Sequence, residues 1–258
     1  MDRPIPRSRT VHLTVMPSEF RLRLEARFDA WALPRELAAE IEDRCSWVTY
    51  ERGTVIFASG ARANAVFWVA KGMVKAYLPL ANGGRSLVFV ARCGEPLGII
   101  DRVDDYGRRH HVLDGHALTR CTVGLLGREQ LATLLHKLDC KTAVKLLENL
   151  NTMWSAIFER FAGLIGLSLR ERLEMVFKDL AARFGVKDDR GVLIMPKLSQ
   201  EELAEMIGSS RPMISKLLAD MAQEGLLARG EHRLILRKDT VSTNRNLISP
   251  RLADQGLP

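Results

Sequence analysis

From about residue 47 to residue 134, short apolar runs alternate with glycines. The runs are 55–57, 66–70, 74–80, 87–91, 97–100 and 121–126, and Gly53, Gly60, Gly72, Asn82-Gly83-Gly84 and Gly94 stand between them. Short strands at roughly 8–12-residue spacing, with turn signals between them, predict an all-β sandwich or roll without helices. The period changes near Lys141. Val144, Leu147, Leu150, Met153, Trp154, Ile157, Phe158, Phe161, Leu164 and Ile165 recur at steps of three and four, which predicts one long amphipathic helix over 141–167. Its stripe packs either on the preceding β domain or against a second copy of the chain. A stripe this long and aromatic would stay partly wet on a single copy, which favours a seam formed by Leu147, Leu150, Trp154, Ile157, Phe158 and Phe161.

Gly163 and Gly166 are expected to loosen that helix before a second one over 168–184, which Gly185 stops. An Asp188-Asp189-Arg190-Gly191 turn then leads to a small strand at 192–195, and residues 246–258 read as a frayed tail.

The stretch 198–239 is the most informative. Ser199, followed three residues later by Glu202, is a capping box, and it opens a short helix with Leu203, Ala204, Met206 and Ile207 inward. Gly208 closes it. Ser209 is expected to cap the next helix, placed at 210–223, with Pro212 tolerated in the first turn. Two short helices about a tight glycine turn make a helix-turn-helix. At about 100° per residue, Ile214, Leu217, Leu218 and Met221 fall together, with Met213 at their edge. Arg211, Pro212, Ser215, Lys216 and Ala219 take the other side. A small, hydroxylic and cationic face suits the major groove: small side chains allow close approach, arginine pairs with guanine, and serine or lysine reaches phosphates and base edges. Gly225 ends the helix, and 226–227 with 234–236 read as a hairpin wing carrying Arg229, His232 and Arg233, which contact phosphate or are merely solvated.

Charge agrees with that reading. Across 258 residues, 38 Lys+Arg against 31 Asp+Glu leave +7, which favours an acidic partner such as double-stranded DNA. With 47% hydrophobic residues the chain can bury a core, but no stretch reaches the roughly 20 apolar residues of a membrane span, so a cytoplasmic protein with no membrane partner is expected. Cys45, Cys93, Cys121 and Cys140 are scattered, which fits reduced packing residues. No catalytic constellation appears: there is no phosphate loop, Gly-x-Ser-x-Gly, HExxH or paired carboxylate. The competing reading is a ligand-binding signalling module that acts through a protein partner.

LSQEELAEMIGSSRPMISKLLADM, followed by glycine and a short wing, resembles the winged helix-turn-helix of the Crp/Fnr family of bacterial transcription regulators. YERGTVIFASGARANAVFWVAKGMVKAYLPLANGGRSLVFVARCGEPLG is similar to that family's cyclic-nucleotide-binding-like β-roll, and the likeness covers roughly 20–240. It implies an α+β fold: an antiparallel β-roll sensor over 20–140, a dimerisation helix over 141–167 and a winged helix-turn-helix over 168–245. It also implies a homodimer on a palindromic site, with RNA polymerase as a partner. By resemblance Arg211 is the main base-reading arginine, Lys216 a second basic contact, and Ser199 and Ser210 phosphate contacts. Pro212 departs from a glutamate common there, so the half-site should differ.

Cyclic-nucleotide-binding members place Gly-Glu against the ribose and Arg-Ser or Arg-Thr against the phosphate. Here the corresponding positions hold Gly98-Ile99 and, at about the arginine, His111. An apolar Ile99 would leave the ribose hydroxyls unsatisfied, so cAMP is disfavoured. Arg108, Arg109 and His110 form a basic loop that is either solvated or a shifted phosphate site. An iron–sulfur cluster is disfavoured because no cysteine precedes Cys45. Haem is disfavoured because His110, His111 and His116 read as a solvated loop, and no metal-ligand spacing is present.

Overall fold

The computed structural model describes residues 12–13, 35–195, 197–230 and 233–237. The tail at 246–258, His232, and the outer margins of the 20–140 and 168–245 segments lie outside the described residues. So do the side chains of Arg229 and Arg233. Two compact units meet at Trp154/Ser155, inside one continuous helix.

The first unit begins with β1 (His12–Leu13), α1 (Arg35–Arg44), β2 (Ser46–Tyr50), β3 (Val55–Phe57), β4 (Ala65–Lys71), β5 (Met73–Pro79) and β6 (Arg85–Arg92). It continues through β7 (Pro96–Leu97), β8 (Asp101–Val103), β9 (Arg109–His111), β10 (Asp114–Ala117), β11 (Cys121–Gly127) and α2 (Arg128–Leu135) into the first half of α3 (Cys140–Gly166). A five-stranded antiparallel sheet runs β1-β2-β11-β4-β7, a four-stranded one β3-β10-β5-β6, and β8 pairs with β9 alone. β4 is apolar on both faces because both are covered: Val66, Trp68 and Ala70 pack with Leu37, Ile41 and Leu134 of the flanking helices, while Phe67 and Val69 are buried on the opposite side.

Two expectations are corrected here. The stretch read as strands alone contains α2, started where the Gln130 side chain accepts from the Gly127 amide and anchored by fully buried Leu134. The run at 97–100 is a strand only through Leu97, because Gly98 takes a left-handed φ of 72° that breaks the pleat.

The long helix also differs in how it uses its stripe. Leu146, Leu150 and Met153 are half-buried against the chain's own core, and Ile157 is buried. At about 100° per residue they lie along one edge of the line through Leu147, Trp154, Phe158 and Phe161, with Leu150 only about 20° from Phe161. That line stays open, with Leu147 65%, Phe158 66% and Ile165 89% exposed. Gly163 does not loosen the helix; a Cβ there would come within 2.8 Å of Met175, so it permits close helix packing.

The second unit holds the rest of α3, then α4 (Leu169–Phe184), β12 (Gly185–Asp188), β13 (Gly191–Ile194), α5 (Gln200–Ile207), α6 (Arg211–Gln223), β14 (Leu227–Gly230) and β15 (Arg233–Arg237). Ser168 and Glu171 cap α4, whose Leu173, Val176, Phe177 and Leu180 are buried. Gly185 ends it in an extended conformation that starts β12 directly. The hairpin at 188–191 and the wing hairpin are one sheet, ordered β12-β13-β15-β14.

Candidate nucleic-acid interface

The start of α5 is capped reciprocally: the Glu202 amide donates to Ser199 Oγ at 3.1 Å and the Ser199 amide donates to the Glu202 carboxylate at 2.7 Å. Its end is Gly208, at φ 66° and ψ 46°, a left-handed corner that suits glycine. The Ser209 amide donates back to the Ala204 carbonyl, so Ser209 belongs to the turn and does not cap the next helix. Ser210 is the N-cap of α6, and its hydroxyl makes no capping bond. That leaves the hydroxyl of an exposed serine available beside the helix start.

Along α6 the two faces separate as the angles require. Ile214, Leu218 and Met221 are buried, Leu217 is half-buried, and Met213 lies at the edge with 39% exposure. Arg211, Pro212, Ser215 and Lys216 are exposed, and among the described residues neither Arg211 nor Lys216 is tied up in an ion pair. A guanidinium at the first position of the helix and an ammonium in its second turn, both held outward beside small side chains, can approach a polyanion without breaking internal bonds. Ser199 and Ser210 are exposed at the starts of α5 and α6.

Two long-range braces, from Arg170 and Arg172, were not legible in the sequence. Arg170 at the start of α4 grips Glu224, just past α6, with both terminal nitrogens at 2.5 Å, and also bonds Glu174. Arg172 donates to the carbonyls of Leu167 and Ile207, satisfying an end of α5. The Arg170–Glu224 and Arg172–Ile207 contacts span 54 and 35 positions, so no local spacing signals them.

The effector position lies in the first unit. Gly98 and His111 are brought together there, but as packed core. His111 is 4% exposed, with its ring 4.7 Å from Phe57 and 5.8 Å from Phe67. Burial first, then the neighbouring Arg128 charge, holds its pKa below the ordinary value. Ile99 packs toward the helix-covered core, and the space among Phe57, Phe89, Gly98, Ile100, Leu113 and Met153 has room for about one water molecule.

The basic segment is not a loop but the β8–β9 hairpin. Of the two readings of this segment, solvated or a shifted phosphate site, the second is weakened, because Arg109 pairs with Asp101 at 3.2 Å and Arg108 with Asp104 at 2.8 Å. The solvated-histidine expectation is also corrected. His111 is core, His110 is bonded to Gly60 and Asp104, and His116 sits edge-on to Tyr77. Arg128, which the sequence did not flag, donates to the Ala63 and Gly98 carbonyls at 2.6 Å and pairs with Asp101. Burial pushes the Cys45 and Cys121 thiols to about 12, as befits packing residues, whereas Cys140 is exposed. Among the described residues no cluster of three or more His, Cys, Asp or Glu could hold a metal ion, and no helix is long and apolar enough to cross a membrane.

A capped helix, a left-handed glycine and a second helix with a bare basic face define a helix-turn-helix protein of the nucleic-acid-binding class. Residues 171–240 match the Crp-like helix-turn-helix domain family, and residues 47–137 match the cyclic nucleotide-binding domain family. The chain is 24% identical over 193 residues to a CRP-like cAMP-activated global transcriptional regulator of Mycobacterium tuberculosis, spanning 75% of this chain and 84% of that one. It is 27% identical over 192 residues to a global nitrogen regulator of Synechococcus elongatus, spanning 72% and 82%. Its fold is that of FixK2 from Bradyrhizobium japonicum, with a TM-score of 0.65 at 20% identity over 75% of this chain and 92% of that one. The chain belongs to the Crp/Fnr family of DNA-binding transcription regulators. Its work is gene regulation, not catalysis.

Proposed function

We propose that the protein is a cytoplasmic homodimer that reads a palindromic DNA site with α6, under the control of something other than cAMP. The observation that carries this reading is the outward, unpaired pair Arg211 and Lys216 on a helix whose opposite face is core. Arg211 reads a base edge, Ser199 and Ser210 hold phosphates, and Ser215 and Lys216 line the same face. Pro212 accepts no hydrogen bond, which alters the preferred half-site.

The dimer reading is supported by α3. Val144, Leu147, Asn151, Trp154, Phe158, Phe161 and Ile165 follow steps of three and four along one line, the seam of a two-stranded coil. The working assignment is a sensor over 20–140, a dimer helix over 141–167 and a DNA-binding domain over 168–245, with RNA polymerase as the further partner of a bound dimer.

The effector reading rests on chemistry. A cyclic nucleotide needs an acceptor for its ribose hydroxyl and a cation for its phosphate, and Ile99 and buried His111 supply neither. Met153 of α3 touches the same small space as Gly98 and Ile100. A ligand that enlarges that space acts directly on the dimer helix, provided it binds the two arrangements with different affinity.

Selection of bound duplexes from a random pool, with and without metabolite extract, tests the proposal. The expected product is an imperfect palindrome with half-sites about one helical turn apart, unaffected by added cAMP. An asymmetric motif, or no enrichment, overturns it.

A further inference from the structure

We propose that the outer face of the β8–β9 hairpin is a binding site for a small phosphate-bearing anion, separate from the DNA-reading helix and from the packed interior at Gly98. Arg102 lies directly opposite His110 across the hairpin, and Arg62 forms an isolated antiparallel bridge to His110 on its other side. Side chains directly opposite in antiparallel strands share a face. Arg62, His110 and Arg102 therefore form one cross-strand row, with neighbours about 5 Å apart.

His111, the next residue, is buried, so the row faces outward, and Arg62 and Arg102 are both exposed. His110 Nδ1 lies 2.9 Å from the Gly60 carbonyl and Nε2 lies 3.1 Å from the Asp104 carboxylate. Both contacts hold the His110 ring against the scaffold between the two arginines.

Asp104 offsets only the middle of the row, at His110, and leaves the two arginines on either side uncompensated. Asp104 is spent on Arg108, His110 and the tip amides of Tyr106 and Arg108. Asp101 serves Arg109 and Arg128, and Asp105 stands in the tip turn. Among the described residues, Arg62 and Arg102 have no acidic partner. The scaffold beneath them is stiff: the Gly60, Ala63 and His111 amides bond across to His111, Arg109 and Ala61 carbonyls.

Two exposed guanidinium forks, neither with an acidic partner among the described residues, match a compact polyanion with oxygens on adjacent phosphorus atoms. The short row suits a small molecule such as a diphosphate better than an extended surface. Occupation would tie the hairpin to the 60–63 segment from outside.

Calorimetric titration of the full-length protein with sodium pyrophosphate at fixed ionic strength tests this. Saturable binding of one anion per chain is expected. Affinity should fall about tenfold or more in R62Q/R102Q, fall less in R62K/R102K, which keeps charge but loses the forks, and stay unchanged in R52Q. Phenylglyoxal labelling of the unaltered protein gives a second readout that needs no variant: pyrophosphate should protect Arg62 and Arg102 selectively. Absence of saturation, equal affinity in R62Q/R102Q, or uniform protection of arginines overturns the site. A shallower salt dependence of duplex binding in R62Q/R102Q also overturns it, because these cations would then serve DNA phosphates.

Discussion

Gly98 and His111 are in contact: a Cβ placed on Gly98 would lie 3.2 Å from His111 Cε1 and 2.8 Å from the Phe67 ring. The two positions that the family resemblance assigns to ribose and phosphate recognition are here a glycine with no room above it and an imidazole wedged against two phenylalanines. An effector of this protein must either displace that packing or bind elsewhere.

The same packing makes stability depend on pH. Burial and Arg128 lower the folded-state pKa of His111 below its ordinary 6.5, so the unfolded chain takes up this proton first. The contribution is complete above about pH 6.5 and is lost as pH falls through the lower folded-state value. Thermal melts between about pH 7.5 and 5.5 should show wild type losing stability on acidification more steeply than His111→Phe. Parallel curves would show that His111 does not titrate in the core.

Arg211→Ala is expected to cost about 1–3 kcal/mol at a selected site and to flatten base preference at one position of each half-site. Fluorescence anisotropy on specific and random duplexes measures this. Equal losses on both would mean that Arg211 meets only the backbone.

Phe158→Glu places a charge on the exposed line of α3, where the wild-type ring is 66% exposed. The chain should remain folded by circular dichroism yet elute as a monomer, with specific DNA affinity reduced at least tenfold because the second half-site is no longer tethered. An unchanged dimer would move the interface off this helix.

Gly208→Ala tests the corner that aims α6. A Cβ there meets nothing closer than 3.7 Å, so the cost arises from the backbone at φ 66° and not from a clash. A loss of about 1 kcal/mol is expected, read as a lower midpoint in urea. A stability unchanged from wild type would mean the turn does not require the left-handed conformation.

How much was legible in the chain depended on how local each cause was. The capping box at Ser199, the stop at Gly208 and the split faces of α6 arise from contacts within a few residues, so the second helix of the motif and its exposed arginine could be found from spacing alone. Ser209 was mistaken for the cap because two adjacent serines offer the same hydroxyl, and the choice is made by the Ser209 amide returning to Ala204. The histidines of the 108–116 segment read as solvated because polar neighbours surround them in sequence; Phe57 and Phe67, which bury His111, arrive from strands about 50 positions away.

The order of apolar runs, glycine turns and capping signals by itself determined a β-rich segment, a long helix and a helix-turn-helix with its basic face outward. Periodicity also showed that α3 has a broad apolar stripe, but not which residues meet which neighbour. Only the tertiary structure divided that stripe, assigning Leu146, Leu150 and Met153 to the chain's own core while leaving Leu147, Phe158 and Ile165 open. It alone set Arg62, His110 and Arg102 side by side. Local signals come from bonds between near neighbours, whereas burial and cross-strand register depend on which distant segments the folded chain brings together.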